Sequence, residues 1–143
     1  AKGIVSSRPF NSTLELAETI KNNVPLSYRR KGNPCRKTFQ AIRIEVNNEL
    51  GILEKSLLDA FDLLKSGGRM SVITFHSLED RIVKNVFQRL SKDDEMSRFL
   101  PVVPEEMKAK AKLINKKPIT PSKEELERNP RSRSAKLRII EKL

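Results

Sequence analysis

The run Phe75-His76-Ser77-Leu78-Glu79-Asp80-Arg81 gathers residue types that can move protons or hold a polar substrate. It contains the only histidine of the sequence, one hydroxyl, two carboxylates and a guanidinium. Arg69 to Phe75 (RMSVITF) just before it is a short, mostly apolar run of strand length, of the kind buried in a parallel sheet. The polar groups would then sit at the carboxyl end of a strand, where open α/β sheets bind their ligands. His76, Ser77 and Glu79 are the pocket-lining candidates on this reading. A purely structural reading fits the same residues. Ser77 with Asp80 three positions on resembles a helix cap with an acidic partner, and negative charge there suits the helix dipole. His76 would then only hydrogen-bond a neighbouring loop.

Two basic segments suit a phosphate backbone. Asn33 to Gln40 opens a helix on which Arg36, Lys37 and Arg43 could lie along one face, beside the free N–H groups of the helix start. Asn129 to Arg138 (NPRSRSAKLR) packs basic residues around the start of a strand, with Arg131, Arg133 and Lys136 as RNA-contact candidates. The alternatives are a solvated first turn for the former and structural ion pairs for Arg131 and Arg133. Cys35 has no base nearby in sequence and reads as a packed thiol.

Other chemistries are excluded by what the sequence lacks. One histidine and one cysteine make no metal-ligand spacing and no disulfide. No G-x-S-x-G occurs, so a hydrolase elbow is absent. Gly67-Gly68 precedes a strand instead of following one, so it is not a phosphate loop. No tryptophan is present and aromatics are 5%, against a stack of platforms for single-stranded bases.

The 143 residues carry 29 Lys+Arg and 18 Asp+Glu, a net charge of +11. Residues 1–43 hold nine basic and two acidic side chains, residues 44–103 eight and ten, and residues 104–143 twelve and six. The excess sits at both ends, and nucleic acid is the partner such a surface most often serves. A solubilising surface is the plainer alternative. No apolar run approaches the roughly 20 residues that span a membrane, and no secretory h-region is visible. A cytoplasmic protein with an acidic partner and no membrane association is expected.

The elements that position these groups follow from periodicity. Ser12-Thr13-Leu14-Glu15 is a capping box that opens a helix ended by Pro25, followed by a basic loop from Tyr28 through Lys31 to Pro34. Phe39, Ile42, Val46, Leu50, Leu53, Leu57, Phe61 and Leu64 predict one long helix, with Gly51 as a kink or domain junction. Lys65 to Gly68 stops it. Ile82, Val83, Val86, Phe87 and Leu90 predict the helix after the strand. Beyond a polar loop at 92–104, a helical turn is expected at 105–112 and a short strand at 113–116. A capped helix should open at Ser122, and a last strand should run from Ala135 to Leu143. Helix, strand, tight turn, helix is the order of an α/β sheet.

Three stretches together resemble one family. They are Lys37 to Ile44 (KTFQAIRI) with Val46-Asn47 and Glu49-Leu50, then FHSLEDR, then NPRSRSAKLR. Lys116 to Ser122 (KKPITPS) also fits. The family is the bacterial S-adenosylmethionine-dependent methyltransferases of 16S ribosomal RNA that act on cytosine N4, the MraW or RsmH type. Asn33 stands where the family has His before Pro34, and Ser132 where Ala is usual.

The resemblance implies a class I, Rossmann-like methyltransferase sheet with a helical domain inserted into it. Residues 1–50 would be the second part of the RNA-facing insertion, and 51–143 the carboxy-terminal part of the α/β domain. The glycine-rich cofactor loop, the ribose-binding acid and the catalytic motif of the family lie upstream of this region. The S-adenosylmethionine site is therefore expected mainly in a missing amino-terminal half, with no cofactor-binding, metal or firm catalytic residue here. The implied partner is 16S rRNA of the small ribosomal subunit. A homodimer, or pairing with the missing half, would complete the sheet, and the chain alone should be inactive.

Overall fold

The computed structural model describes residues 1–30 and 32–143; Lys31, within the expected basic loop, lies outside the described residues. The chain divides into two compact units, Ala1–Glu49 and Leu50–Leu143.

The first unit is helical: α1 (Lys2–Ser6), α2 (Thr13–Asn22), α3 (Leu26–Arg29) and α4 (Arg36–Val46). The Ser12 hydroxyl caps α2 by accepting from Glu15 N, and the Glu15 carboxylate accepts from Asn11 N at 2.9 Å. Tyr28 and Arg29, expected in a loop, instead form α3, with Pro25 supplying the fixed φ at its start. Among the described residues of this unit Ile20 and Cys35 are the buried ones, and the Cys35 thiol donates to Ala17 O at 3.5 Å. Asn33 Oδ1 accepts from Cys35 N at 2.9 Å and so fixes the approach to α4.

The single long helix is corrected to two. After α4 the chain turns at Asn47-Asn48, and α5 runs Glu49–Asp62. Asn48 adopts φ 50°, a left-handed conformation that asparagine tolerates because its short amide can bond locally. Gly51 stays inside α5, where it only lowers helix propensity.

The second unit is α5 and α6 (Ser77–Leu90) packed on one face of a three-stranded sheet, with a short α7 (Lys123–Arg128). The strands are β1 (Arg69–Thr74), β2 (Ala111–Leu113) and β3 (Lys136–Lys142), in the order β1-β3-β2. Both outer strands run antiparallel to β3, so they are parallel to each other. The parallel-sheet expectation for β1 is thus corrected. Its six residues alternate in burial, with Met70, Val72 and Thr74 on the helical side and Arg69, Ser71 and Ile73 on the other. An apolar run this short cannot show which partner it pairs with, or in which direction.

Two other expectations shift. Only Glu105–Met107 forms a helical turn in the 105–112 stretch, because Lys110 N donates to Leu90 O and Ala111 pairs with Lys142. The strand expected at 113–116 falls at 111–113. Ile114 N still donates to Ile139 O, and the chain then swings out while the Asn115 side chain takes over the ladder. Asn115 Oδ1 accepts from Ile139 N at 2.7 Å, and its amide donates to Leu137 O at 3.0 Å. The polar loop at 92–104 contains a turn at Glu95–Phe99 capped by Asp94.

Leu57 and Phe61 of α5, Val83, Val86 and Phe87 of α6, Ala111 of β2 and Ile140 of β3 form the core. Gly67, at φ 77°, makes the turn from α5 into β1, and its N–H donates to Lys142 O at 2.8 Å. A Cβ on Gly68 would meet Lys65 O at 2.8 Å, so this position also excludes a side chain. The Lys142 ammonium donates to Phe61 O and Asp62 O, closing the last turn of α5.

Phe61→Ala should cost about 3–5 kcal/mol in urea unfolding. Leu63→Ala, at an exposed position one turn-edge away, should stay within about 0.5 kcal/mol. Equal effects would place the core wrongly.

Candidate functional site

α6 starts one residue earlier than the sequence cap implied. His76, not Ser77, is the N-cap, in an extended conformation. Its Nδ1 accepts from Glu79 N at 3.4 Å, and Glu79 Oε2 accepts from His76 N at 3.2 Å. The same carboxylate oxygen accepts from Phe75 N at 2.9 Å, so Glu79 holds both N–H groups of the turn. This is a reciprocal capping box in which an imidazole replaces the usual hydroxyl. Residue type alone does not point to an imidazole cap, because Ser, Thr, Asp and Asn dominate that position.

Accepting at Nδ1 requires the proton on Nε2 in the neutral ring. Nε2 lies 3.2 Å from Glu79 Oε1, yet it is buried and makes no hydrogen bond, since the distance is short but the alignment is not met. Both ring nitrogens are thus turned toward Glu79. Of the three pocket-lining candidates, Ser77 is the one left exposed.

Asp80 does not cap. It faces inward from the first turn of α6, on the same side as Val83 and Phe87. Its carboxylate receives both arms of Arg138, with Nε donating to Oδ1 at 2.7 Å and Nη2 to Oδ2 at 3.2 Å. Asp80 and Arg138 are each 8% exposed. Lys136 Nζ donates to Oδ2 at 3.2 Å from the sheet's margin. Lys136 stands opposite Thr74 on β1, and the Thr74 hydroxyl donates to Lys136 O. FHSLEDR and NPRSRSAKLR, far apart in sequence, therefore meet at the carboxyl end of β1 through one carboxylate.

The remaining basic candidates differ in freedom. Lys136 is committed to Asp80. Arg43 is committed to Glu49, with two hydrogen bonds at 2.7 and 3.0 Å. Arg36 and Lys37 are exposed on the first turn of α4. Arg131 and Arg133 are exposed on the turn Pro130–Ser134, which Ser132 anchors by donating to Asn129 O at 2.8 Å. Among the described residues no helix is long and apolar enough to cross a membrane.

The Arg138 guanidinium, with Lys136 adding to it, holds the Asp80 carboxyl below its ordinary value of 3.8, against the opposing effect of burial. A depressed carboxylate stabilises the fold fully above its unfolded value, and the gain is lost as pH falls through the folded one. Asp80→Asn should therefore cost about 3 kcal/mol at neutral pH, where Arg138 is left buried and unpaired. The gap to the parent should shrink on acidification well below the ordinary carboxylate value. Unfolding curves from neutral pH down to about pH 2.5 would show it. A gap constant over that range would mean that the ion pair contributes nothing.

The model of the MraW methylase family matches residues 1–143. The ribosomal RNA small subunit methyltransferase H of Clostridioides difficile (strain 630) is 51% identical over 147 aligned positions, which take in 100% of this chain and 47% of the relative. The chain thus spans about half the length of that curated relative. The mixed architecture of helices and a three-stranded sheet is that of part of such a methyltransferase fold. Matched along its whole length, and identical to a member at half its positions, the chain belongs to the MraW methylase family.

Proposed function

We propose that this chain is the carboxy-terminal half of an S-adenosylmethionine-dependent methyltransferase that acts on N4 of a cytosine in 16S rRNA of the small ribosomal subunit, in the cytoplasm. The observation that carries this reading is the junction at Asp80. It brings the strand-end turn with His76, Ser77 and Glu79 to the start of β3, the strand that follows the arginine-bearing turn of Arg131 and Arg133. A strand end is where α/β enzymes bind ligands, and exposed arginines are what positions a phosphate backbone. Residues 1–50 would supply part of an RNA-facing helical insertion, and 51–143 the end of the α/β domain.

The residues present do not form a cradle for the cofactor. The turn after β1 has no glycine, and the His76–Glu79 box engages the N–H groups of Phe75, His76 and Glu79 around the start of α6. We assign S-adenosylmethionine, whose bound form supplies an electrophilic methyl group, to the half of the protein outside this chain. The task left to these residues is positioning. The exocyclic amine of cytosine is a weak nucleophile, because its lone pair is delocalised into the ring. The base must leave its stack and be held in line, and the RNA backbone must be fixed while that happens. Arg36, Lys37, Arg131 and Arg133 would fix the backbone, with Arg43 and Lys136 contributing from within their ion pairs. Ser77 is the open polar group at the strand end, and His76 and Glu79 hold the turn that presents it.

Titrating S-adenosylmethionine into this chain alone should give no heat. RNA affinity should fall with salt, and Arg131→Ala and Arg133→Ala should each reduce the slope of log affinity against log salt by about 0.7 to 0.9. In the complete enzyme, His76→Ala should lower methyl transfer more than RNA affinity. RNA binding that ignores salt, or one-to-one cofactor binding by this chain, would overturn the assignment.

A further inference from the structure

The two sides of α6 serve different tasks. Asp80, Val83, Val86 and Phe87 face the core. The opposite stripe, at helical spacing, is Ser77, Arg81, Lys84 and Gln88, flanked by Leu78, Asn85 and Arg89. Leu78 apart, every side chain on it can donate a hydrogen bond, and none is negatively charged. The two acids of the helix are turned away from it. Glu79 holds the N–H groups of Phe75 and His76, and Asp80 is buried against Arg138.

Arg81 and Lys84 have no carboxylate partner among the described residues. They lie one helical turn apart, and like charges at that spacing weaken a helix slightly. A face that served solubility alone would gain by pairing its cations. The chain does so on other helices and turns, with Lys21 beside Glu18, Lys55 beside Asp59 and Lys108 beside Glu105. At the far end of the stripe Arg89 is matched in the same way, by Glu54 of α5. The unpaired cations are therefore those nearest the strand-end turn. Helical rise puts Arg81 about 6 Å and Lys84 about 10 Å from Ser77 along the axis. β3 enters the sheet at this same end, after the turn of Arg131 and Arg133. With Leu78 as its one apolar side chain, the stripe is too polar to lie in a lipid surface.

We propose that the outward face of α6 is a track for the RNA backbone. Arg81 and Lys84 hold the phosphates next to the nucleotide drawn out at the strand end, and Asn85 and Gln88 bond the sugar–phosphate chain beyond them. A base leaves its stack at a cost, and the cost is offset where the backbone beside it is fixed by contacts of this kind. Arg81 and Lys84 are positioning residues: they grip the backbone and read no sequence. The proposal rests on the methyltransferase reading above and is tested separately from it.

This chain is titrated into a labelled single-stranded RNA oligonucleotide by fluorescence anisotropy over a series of salt concentrations. Arg81→Ala and Lys84→Ala should each lower the slope of log affinity against log salt by about 0.7, with the loss alike for RNAs of different sequence. Arg81→Lys should keep the parent slope, because a phosphate contact needs the charge. Lys55→Ala, at a paired lysine of α5, should leave the slope unchanged. Arg81 and Lys84 are exposed, so thermal unfolding of their variants should match the parent and separate a lost contact from a lost fold. Saturating RNA should also slow the acetylation of Lys84 several-fold and leave that of Lys55 at its rate in the free chain. Parent slopes in both alanine variants, or acetylation of Lys84 that RNA does not slow, would overturn the track while leaving RNA binding intact. An equal loss of slope in Lys55→Ala would assign the effect to overall charge and overturn it as well. RNA affinity of the parent chain that ignores salt would remove the methyltransferase reading and the track together.

Discussion

The second unit is organised around one buried ion pair, Asp80 with Arg138. The two residues are 58 positions apart in sequence, and their bidentate contact ties the first turn of α6 to the central strand of the sheet. A pair this deeply buried is not a strong source of net stability, because each ion gives up its hydration. Its value is in register. A slip of β3 by one residue would turn Arg138 to the face away from α5 and α6 and leave Asp80 as an uncompensated buried charge. The charge pair therefore excludes the alternatives that an apolar contact would tolerate. The position of α6, and with it the turn from Phe75 to Ser77, follows from that choice.

The same bookkeeping reshapes the reading of the chain's basicity. A net charge of +11 suggests a broad cationic surface, but several of its cations are paired with carboxylates, one of them in the interior. Arg138 and Lys136 serve Asp80, Arg69 and Lys112 serve Glu141, and Arg43 serves Glu49. Of the six sequence candidates for a phosphate backbone, Arg36 and Lys37 on one unit and Arg131 and Arg133 on the other are exposed with no carboxylate ion pair among the described residues. Lys136 illustrates the difference: it sits among the exposed arginines in sequence, yet its ammonium faces a carboxylate.

Much of this was legible before the structure. The cap at Ser12, the strand at 69–74, the apolar face of α6, the cap at Ser122 and the last strand all follow from local rules that tertiary contacts reinforce. The misses have physical causes. Asn47-Asn48 breaks the helix without breaking its apolar stripe, so periodicity alone ran straight through it. β2 forms where β3 needs a neighbour, not where local propensity is highest. Asp80 carried a usable signal that went unread: it is in phase with Val83 and Phe87, so a helix facing the core had to bury it against a cation. Arg138 is likewise in phase with Ile140 on a strand of period two. Putting those two observations together would have found the pair.

The run FHSLEDR shows why a recognisable sequence and a reactive one need not coincide. Its histidine and glutamate cap a helix by way of each other, and its aspartate holds a strand. Two of these duties restrict residue type, since a carboxylate reaching two N–H groups and a buried anion each admit few substitutes, whereas Ser, Thr, Asp or Asn could accept at the cap in place of the imidazole. Such a segment would be distinctive even if it never touched a substrate. Its contribution to a site is geometric: it holds an exposed serine at the end of an edge strand whose outer side is open. A rigid turn beside an unfilled edge supplies one wall of a site, and the opposite wall must come from whatever completes the sheet.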